Sequence, residues 1–112
     1  GAIIVSTPQE VALLDVKRGI KMFDKLGVKI LGLVDNMSFF IGDDGKKYQI
    51  FGEGGVKKTA EEFQKEFLGE IPINSEIGKA GDRGKPIVEA NPEHEISKIY
   101  LDLASKIKST YL

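Results

Sequence analysis

The run Val28-Lys29-Ile30-Leu31-Gly32-Leu33-Val34-Asp35-Asn36-Met37-Ser38 constrains this chain more than any other stretch. From Ile30 to Val34 it is apolar without interruption, which suits a strand covered on both faces in a parallel sheet. At Asp35-Asn36 it turns polar, at what would be the carboxyl end of that strand. In open α/β sheets, ligands bind at this edge. Two readings of Asn36 stay open here. It can cap the turn that follows, as Asn often does. Its amide can also donate and accept hydrogen bonds at once, as the edge of a purine base requires.

The flanking sequence supports a parallel arrangement. Ala2 to Ser6 reads as a short buried strand. Thr7-Pro8-Gln9-Glu10 then gives a helix start, with Thr7 as cap, Pro8 at the first helical position and Glu10 closing a capping box. Leu13, Val16, Ile20 and Phe23 recur at helical spacing, and Gly27 is placed to end the helix after Leu26 in a left-handed conformation. Strand, helix and strand thus form a βαβ unit. The first strand, Gly1-Ala2-Ile3-Ile4-Val5, arrives with no preceding cap, helix or start methionine. The chain therefore reads as the second half of a larger domain, cut before an interior strand.

Phe39-Phe40-Ile41 and Tyr48-Gln49-Ile50-Phe51 flank Gly42-Asp43-Asp44-Gly45-Lys46-Lys47, a hairpin signal centred on an Asp-Gly step. Its four aromatics either close the core from above or meet a partner. Gly52-Glu53-Gly54-Gly55 leads into a helix from about Val56 to Lys65, with Ala60 and Phe63 inward. A Gly-rich turn before a helix can cradle an anion. This one lacks the Lys-Ser/Thr ending of a P-loop and does not follow a buried strand, so tight turning is the better account.

Phe67 to Pro72 reads as a third strand. Ile73-Asn74-Ser75-Glu76-Ile77 begins a short helix, after which Gly78, Gly81 and Gly84 fragment the chain. Lys85-Pro86-Ile87-Val88 is expected to be an extended closing segment. Asn91-Pro92 should start a final helix reaching Lys108, with Ile96, Ile99, Tyr100, Leu103 and Ile107 on one face. A Lys-flanked amphipathic helix can lie on a membrane, but Glu95 and Asp102 interrupt its basic face, and core packing fits better.

Bulk properties exclude several classes. A formal net charge of -1 leaves no electrostatic footprint for nucleic acid. No apolar run approaches the roughly 18 residues of a membrane span, and no signal peptide is visible, which points to a cytoplasmic protein. Cysteine is absent, so disulfides, thiolate metal sites and cysteine nucleophiles are excluded, and His94 stands alone. Neither a catalytic constellation nor a metal site is expected: there is no Ser/His/Asp set, no Gly-x-Ser-x-Gly elbow and no histidine pair.

Five stretches, in order, carry a resemblance that spans almost the whole chain: Gly1 to Asp15, Gly32 to Phe40, Ile50 to Gly55, Leu68 to Pro72 and Gly84 to Val88. Together they resemble the C-terminal half of the Mrp/ApbC family of iron–sulfur carrier P-loop ATPases, relatives of the nitrogenase iron protein and of the MinD/ParA ATPases. The resemblance implies an α/β fold: the C-terminal part of a mostly parallel, P-loop-NTPase-like sheet with flanking helices and a projecting aromatic hairpin. Residues 1–112 would be one portion of a single ATPase domain whose Walker A half lies upstream. The parent protein would bind ATP with magnesium, hydrolyse it as a homodimer and pass iron–sulfur clusters to apo-proteins, with neither nucleic acid nor membrane as partner.

By the same resemblance, Asn36 matches the position whose amide hydrogen-bonds adenine. Pro72, with Ile71 and Ile73, matches the loop packing on the other side of the base, and Thr7-Pro8-Gln9 would sit toward the phosphates. Without the Walker A lysine and the magnesium-binding acid, this stretch alone should not hydrolyse ATP. Many members carry Cys-x-x-Cys after the Asn-Met-Ser stretch. The matching place here is Gly42-Asp43-Asp44-Gly45, one residue shorter and without thiols, and carboxylates are poor substitutes for thiolate ligation of a cluster. Two other readings are an interaction or dimerisation module built on the aromatic hairpin, and a positioning ATPase of the MinD/ParA type.

Overall fold

A computed structural model describes residues 1–111 and divides the chain into two compact units, Gly1–Pro72 and the residues from Ile73 onward. In the first unit, three strands form a parallel sheet: β1 (Ala2–Ser6), β2 (Ile30–Asn36) and β5 (Phe67–Ile71), in the order β1-β2-β5. The organising run is the central strand, as its apolar sequence demands. Helix α1 (Glu10–Leu26) connects β1 to β2. A two-stranded antiparallel hairpin, β3 (Phe40–Ile41) and β4 (Lys47–Tyr48), and helix α2 (Gly55–Glu62) lie between β2 and β5.

The helical periodicity of α1 is realised as expected. Val16 and Ile20 are buried with Ile30, Leu33, Val56 and Ala60, while Leu13, Phe23 and Phe63 pack against that cluster half-buried. Each fully buried aliphatic side chain contributes about 1.5–3 kcal/mol through removal from water. Gly27 adopts φ 73° and closes the helix, and the N–H of Val28 returns to the Phe23 carbonyl.

The start of α1 differs from expectation. The helix begins at Glu10, its N-cap is Gln9, and no side chain caps it. The Thr7 hydroxyl instead donates to Gln9 Oε1 at 3.0 Å. Pro8 is buried because the glycine-rich loop lies on it: a Cβ on Gly52 would sit 2.9 Å from the Pro8 carbonyl oxygen, and one on Gly55 would sit 2.6 Å from Leu13 Cδ1. Tertiary contact has claimed the residues that local capping would use. The same contacts explain Gly52 and Gly55 as close-packing positions.

The sheet's register also depends on close approach. A Cβ on Gly32 would lie 2.5 Å from Leu68 Cγ. The β2–β5 pairing shifts between Leu33 and Val34, then runs Val34 to Gly69, Asp35 to Glu70 and Asn36 to Ile71. On β1, Ile3 and Val5 are 41% and 56% exposed, so the face they occupy is uncovered.

The second unit is helical: α3 (Ser75–Asp82), α4 (Ile87–Ala90) and α5 (Glu95–Tyr111). Three expectations are corrected here. Gly78 and Gly81 do not fragment the chain, because α3 runs through both, started by the Asn74 side chain accepting the Glu76 N–H at 2.9 Å. Ile87-Val88 is the first turn of a helix, not extended, because Ile87 is buried with Ala80 and Ile96. The final helix starts at Glu95 rather than Pro92, with His94 Nδ1 accepting the Ile96 N–H at 3.1 Å. Its Ile99 and Tyr100 pack on the small core as anticipated. Among the described residues, no helix is long and apolar enough to cross a membrane.

Candidate functional site at the carboxyl edge of the sheet

Parallel strands deliver their carboxyl ends to one edge. Ser6, Asp35 and Glu70 are neighbours across the three strands there, and Asn36 pairs with Ile71 one residue further on. Two of the anticipated site residues are thus brought together. Asn36 is half-buried, Ile71 is 4% exposed, and Pro72 follows it, buried, as the last residue of the first unit. Ile73 opens the second unit and is half-buried. Thr7, Pro8 and Gln9 follow directly from the carboxyl end of β1.

The chain leaves β2 by a tight reversal. Met37 takes φ 53°, a left-handed conformation uncommon for a residue with a side chain. The Ser38 N–H then donates to the Ile71 carbonyl at 3.0 Å, and the buried Ser38 hydroxyl donates to Asp35 Oδ2 at 3.1 Å. Asn36 therefore sits between two anchored residues. Its side-chain amide enters no hydrogen bond among the described residues.

Asp35 is what sequence reasoning missed. Its polarity was visible, but a carboxyl at the end of a strand is usually solvated. Here it is 1% exposed and its Oδ1 has no hydrogen-bond partner. Burial pushes its pKa up to about 6; the Ser38 hydroxyl pulls it back, the Glu70 charge raises it and Lys47 lowers it. Lys47 Nζ lies 3.8 Å from Glu70 Oε2 and 4.2 Å from the centre of the Phe39 ring. The available signal was Ser38, three residues beyond Asp35, placed to hold the carboxyl inside the turn.

The hairpin beyond this edge is shorter than expected, and Ile50-Phe51 lie in a turn rather than in its second strand. Phe40, Ile41, Tyr48 and Ile50 are 41–59% exposed, and Phe39 and Phe51 are half-buried. The tip is set by Asp44, which accepts the Lys46 N–H at 2.9 Å and the Tyr48 hydroxyl. That hydroxyl holds the Asp44 carboxyl below its ordinary pKa, and Asp44 in turn raises that of Tyr48. With Asp44 occupied in this way and no thiol nearby, the hairpin does not fit the ligand set of an iron–sulfur cluster. No group of three or more His, Cys, Asp or Glu side chains is arranged for a metal ion among the described residues.

A groove of about 560 Å³ lies elsewhere in this unit, between α1, the glycine-rich loop and α2. Pro8, Leu13, Lys17, Phe51 and Lys58 are among its lining residues, and none of Asn36, Ile71 and Pro72 is. Lys17 and Glu62 are paired across it at 3.3 Å.

Comparison with known proteins decides the family. The ParA family model, described as the NUBPL iron-transfer P-loop NTPase, matches residues 1–108. The chain belongs to this family. Among curated ParA-family relatives, the iron–sulfur cluster carrier protein of Aquifex aeolicus is 43% identical over 105 residues, which are 93% of this chain and 29% of that protein. The iron–sulfur cluster transfer protein NUBPL of Dictyostelium discoideum is 47% identical over 108 residues, 96% of this chain and 33% of its own length. The chain thus spans about a third of these relatives.

A solved nucleotide-binding protein from Archaeoglobus fulgidus, in complex with ADP, is 39% identical with a TM-score of 0.65, covering 76% of this chain and 35% of that one. The cell division ATPase MinD of Pyrococcus furiosus shares the fold, with a TM-score of 0.71 at 22% identity over 97% of this chain and 43% of its own. The α/β architecture with a parallel sheet, flanking helices and a small hairpin is that of this ParA-family P-loop NTPase fold.

Proposed function

We propose that residues 1–112 form the adenine-side, C-terminal portion of an ATP-binding Mrp-like ATPase that carries iron–sulfur clusters. The observation that supports this reading most is the pairing of Asn36 with Ile71 at the carboxyl edge, next to Pro72, with the Asn36 amide left for a ligand. In this reading the amide bonds the edge of the adenine, and Ile71 and Pro72, continued in sequence by Ile73, pack on the other side of the base. Thr7-Pro8-Gln9 lie toward the phosphates. The Walker A lysine and the magnesium-binding acid come from the remaining part of the domain; the extent of the relatives and the uncovered Ile3 and Val5 support that division. ATP with magnesium would then be bound only by the full-length protein. The cluster is cargo handed to apo-proteins, in a cytoplasmic setting, and is not held by this segment's own residues.

The test is calorimetric binding of ATP and GTP to the full-length protein. Asn36→Ala should weaken ATP binding by about 5- to 150-fold, as loss of a base-edge hydrogen bond costs on the order of 1–3 kcal/mol. It should also erode preference for ATP over GTP, with the folded state intact. Unchanged ATP affinity would reject the assignment.

The exposed Phe40, Ile41, Tyr48 and Ile50 favour one companion reading, that the hairpin helps to hold a homodimer. Light scattering of full-length Phe40→Asp should then report monomers. A dimer of unaltered strength would remove the hairpin from the interface.

A further inference from the structure

We propose that the groove between α1, the glycine-rich loop and α2 is a docking site for a protein segment that carries a bulky apolar side chain beside a lysine or arginine. The groove is of ligand-pocket size, about 560 Å³, and the adenine reading makes no use of it. Its walls are held in place before anything binds. The loop is fixed to α1 by the close approach of Gly52 to Pro8 and of Gly55 to Leu13. Lys17 joins α1 to Glu62 of α2 at 3.3 Å, and Lys65, just beyond α2, reaches Asp24 of α1 at 2.9 Å. A partner therefore meets a preorganised surface, which lowers the cost of binding.

The apolar part of that surface is open. Leu14 is 58% exposed, Phe51 is half-buried, and Val11, on the same face of α1 as Leu14, is 71% exposed. The charges around it are unbalanced. Glu10, Lys17, Glu53, Lys58 and Glu62 line the groove, and Lys17 and Glu62 offset one another. Glu10 and Glu53 have no cationic partner among the described residues; only the neutral Gln49 amide reaches Glu53, at 3.2 Å. Both carboxylates flank the Pro8–Gly52 contact, Glu10 two residues after Pro8 and Glu53 one after Gly52. Two acids thus share one end of an apolar groove, against the single unpaired cation of Lys58 on the α2 wall. A lysine or arginine placed at that end gains charge-assisted hydrogen bonds, while its apolar neighbour covers Leu14 and Phe51.

The sheet order argues that another chain covers this surface. Helix α2 packs on β2 and β5, so the groove lies on the side of α1 away from the open edge of β1. An element added at that edge would enter on the opposite side of α1, where Ile4, Val5, Ala12 and Gly19 line a separate groove.

The experiment pans full-length protein against a displayed library of random peptides and measures the enriched peptides, fluorescently labelled, by anisotropy. The expected sequences pair Leu, Ile, Phe or Trp with an adjacent Lys or Arg. Leu14→Asp should weaken their binding about tenfold or more, as loss of a central apolar contact does. The surface charge reversals Glu10→Lys and Glu53→Lys, combined, should weaken it about fivefold and abolish its dependence on salt. Because both glutamates are exposed, that second variant decides the matter even if Leu14→Asp fails to fold. Enriched peptides dominated by Asp and Glu, affinity indifferent to the charge reversals, or binding lost in Phe40→Asp and kept in Leu14→Asp would overturn the proposal.

Discussion

The first unit contains two tight reversals built in opposite ways. In the Gly52–Gly55 turn the chain passes close to Pro8 and Leu13 because side chains are missing at Gly52 and Gly55, whose potential Cβ positions are already filled by a neighbour's atoms. At Asp35–Ser38 side chains are retained even where the backbone would prefer glycine, and a carboxyl, a hydroxyl and two main-chain groups supply the anchors. The first reversal is a packing device with little chemistry left over. The second keeps a free amide, a buried acid and a strained methionine within four residues. Local cost is being tolerated where a ligand would need it.

The sharpest way to break this comparison is at the glycine turn. Gly52→Ala places a methyl 2.9 Å from a backbone oxygen at φ 130°, where neither partner can rotate away. It should destabilise the fold by about 2–4 kcal/mol, the range of overpacking combined with backbone strain, and denaturant unfolding measures it. A loss below about 1 kcal/mol would mean the loop is free to lift off Pro8.

The polar turn should respond in the other direction. Between the ordinary value of 3.8 and about 6, native Asp35 binds a proton that the unfolded chain has released. Asp35's contribution to stability is therefore greatest below pH 4, falls as pH rises toward 6 and levels off above it. A shift of about two pH units corresponds to about 2–3 kcal/mol. Asp35→Asn should lack this decline, matching wild type near pH 4 and exceeding it near pH 7 by up to that amount. Thermal unfolding at the two pH values reads it, and equal mutant effects at both would show that the carboxyl is not buried as an acid.

Much of the architecture was legible because it depends on local pattern. The apolar run into β2, the helical spacing of Leu13, Val16, Ile20 and Phe23, and the terminating Gly27 each carry their own physical reason, and the structure realises all three. The resemblance led to the family and to Asn36 and Ile71, which the register pairs. The misreadings share a cause. Thr7 had the chemistry of a cap and Ile87 the look of an extended segment, but Pro8 is occupied by the glycine loop and Ile87 by Ile96 and Ala80. Partners distant in sequence decided both. The burial of Asp35 went unread for the same reason: alternation along a strand says which residues share a face, not whether the strand end is roofed over.

Gly32 carries a consequence for how such proteins can diverge. Because Leu68 fills the space where its side chain would be, β2 and β5 are keyed at one place, four residues before Asn36. Sliding β2 by a single step would swap the environments of Asp35 and Asn36, turning the acid outward and the amide into the interior. The identity of the group offered at the rim is thus written into a bare backbone position deep in the sheet. A lineage that altered Gly32 would have to reinvent its rim chemistry along with its packing.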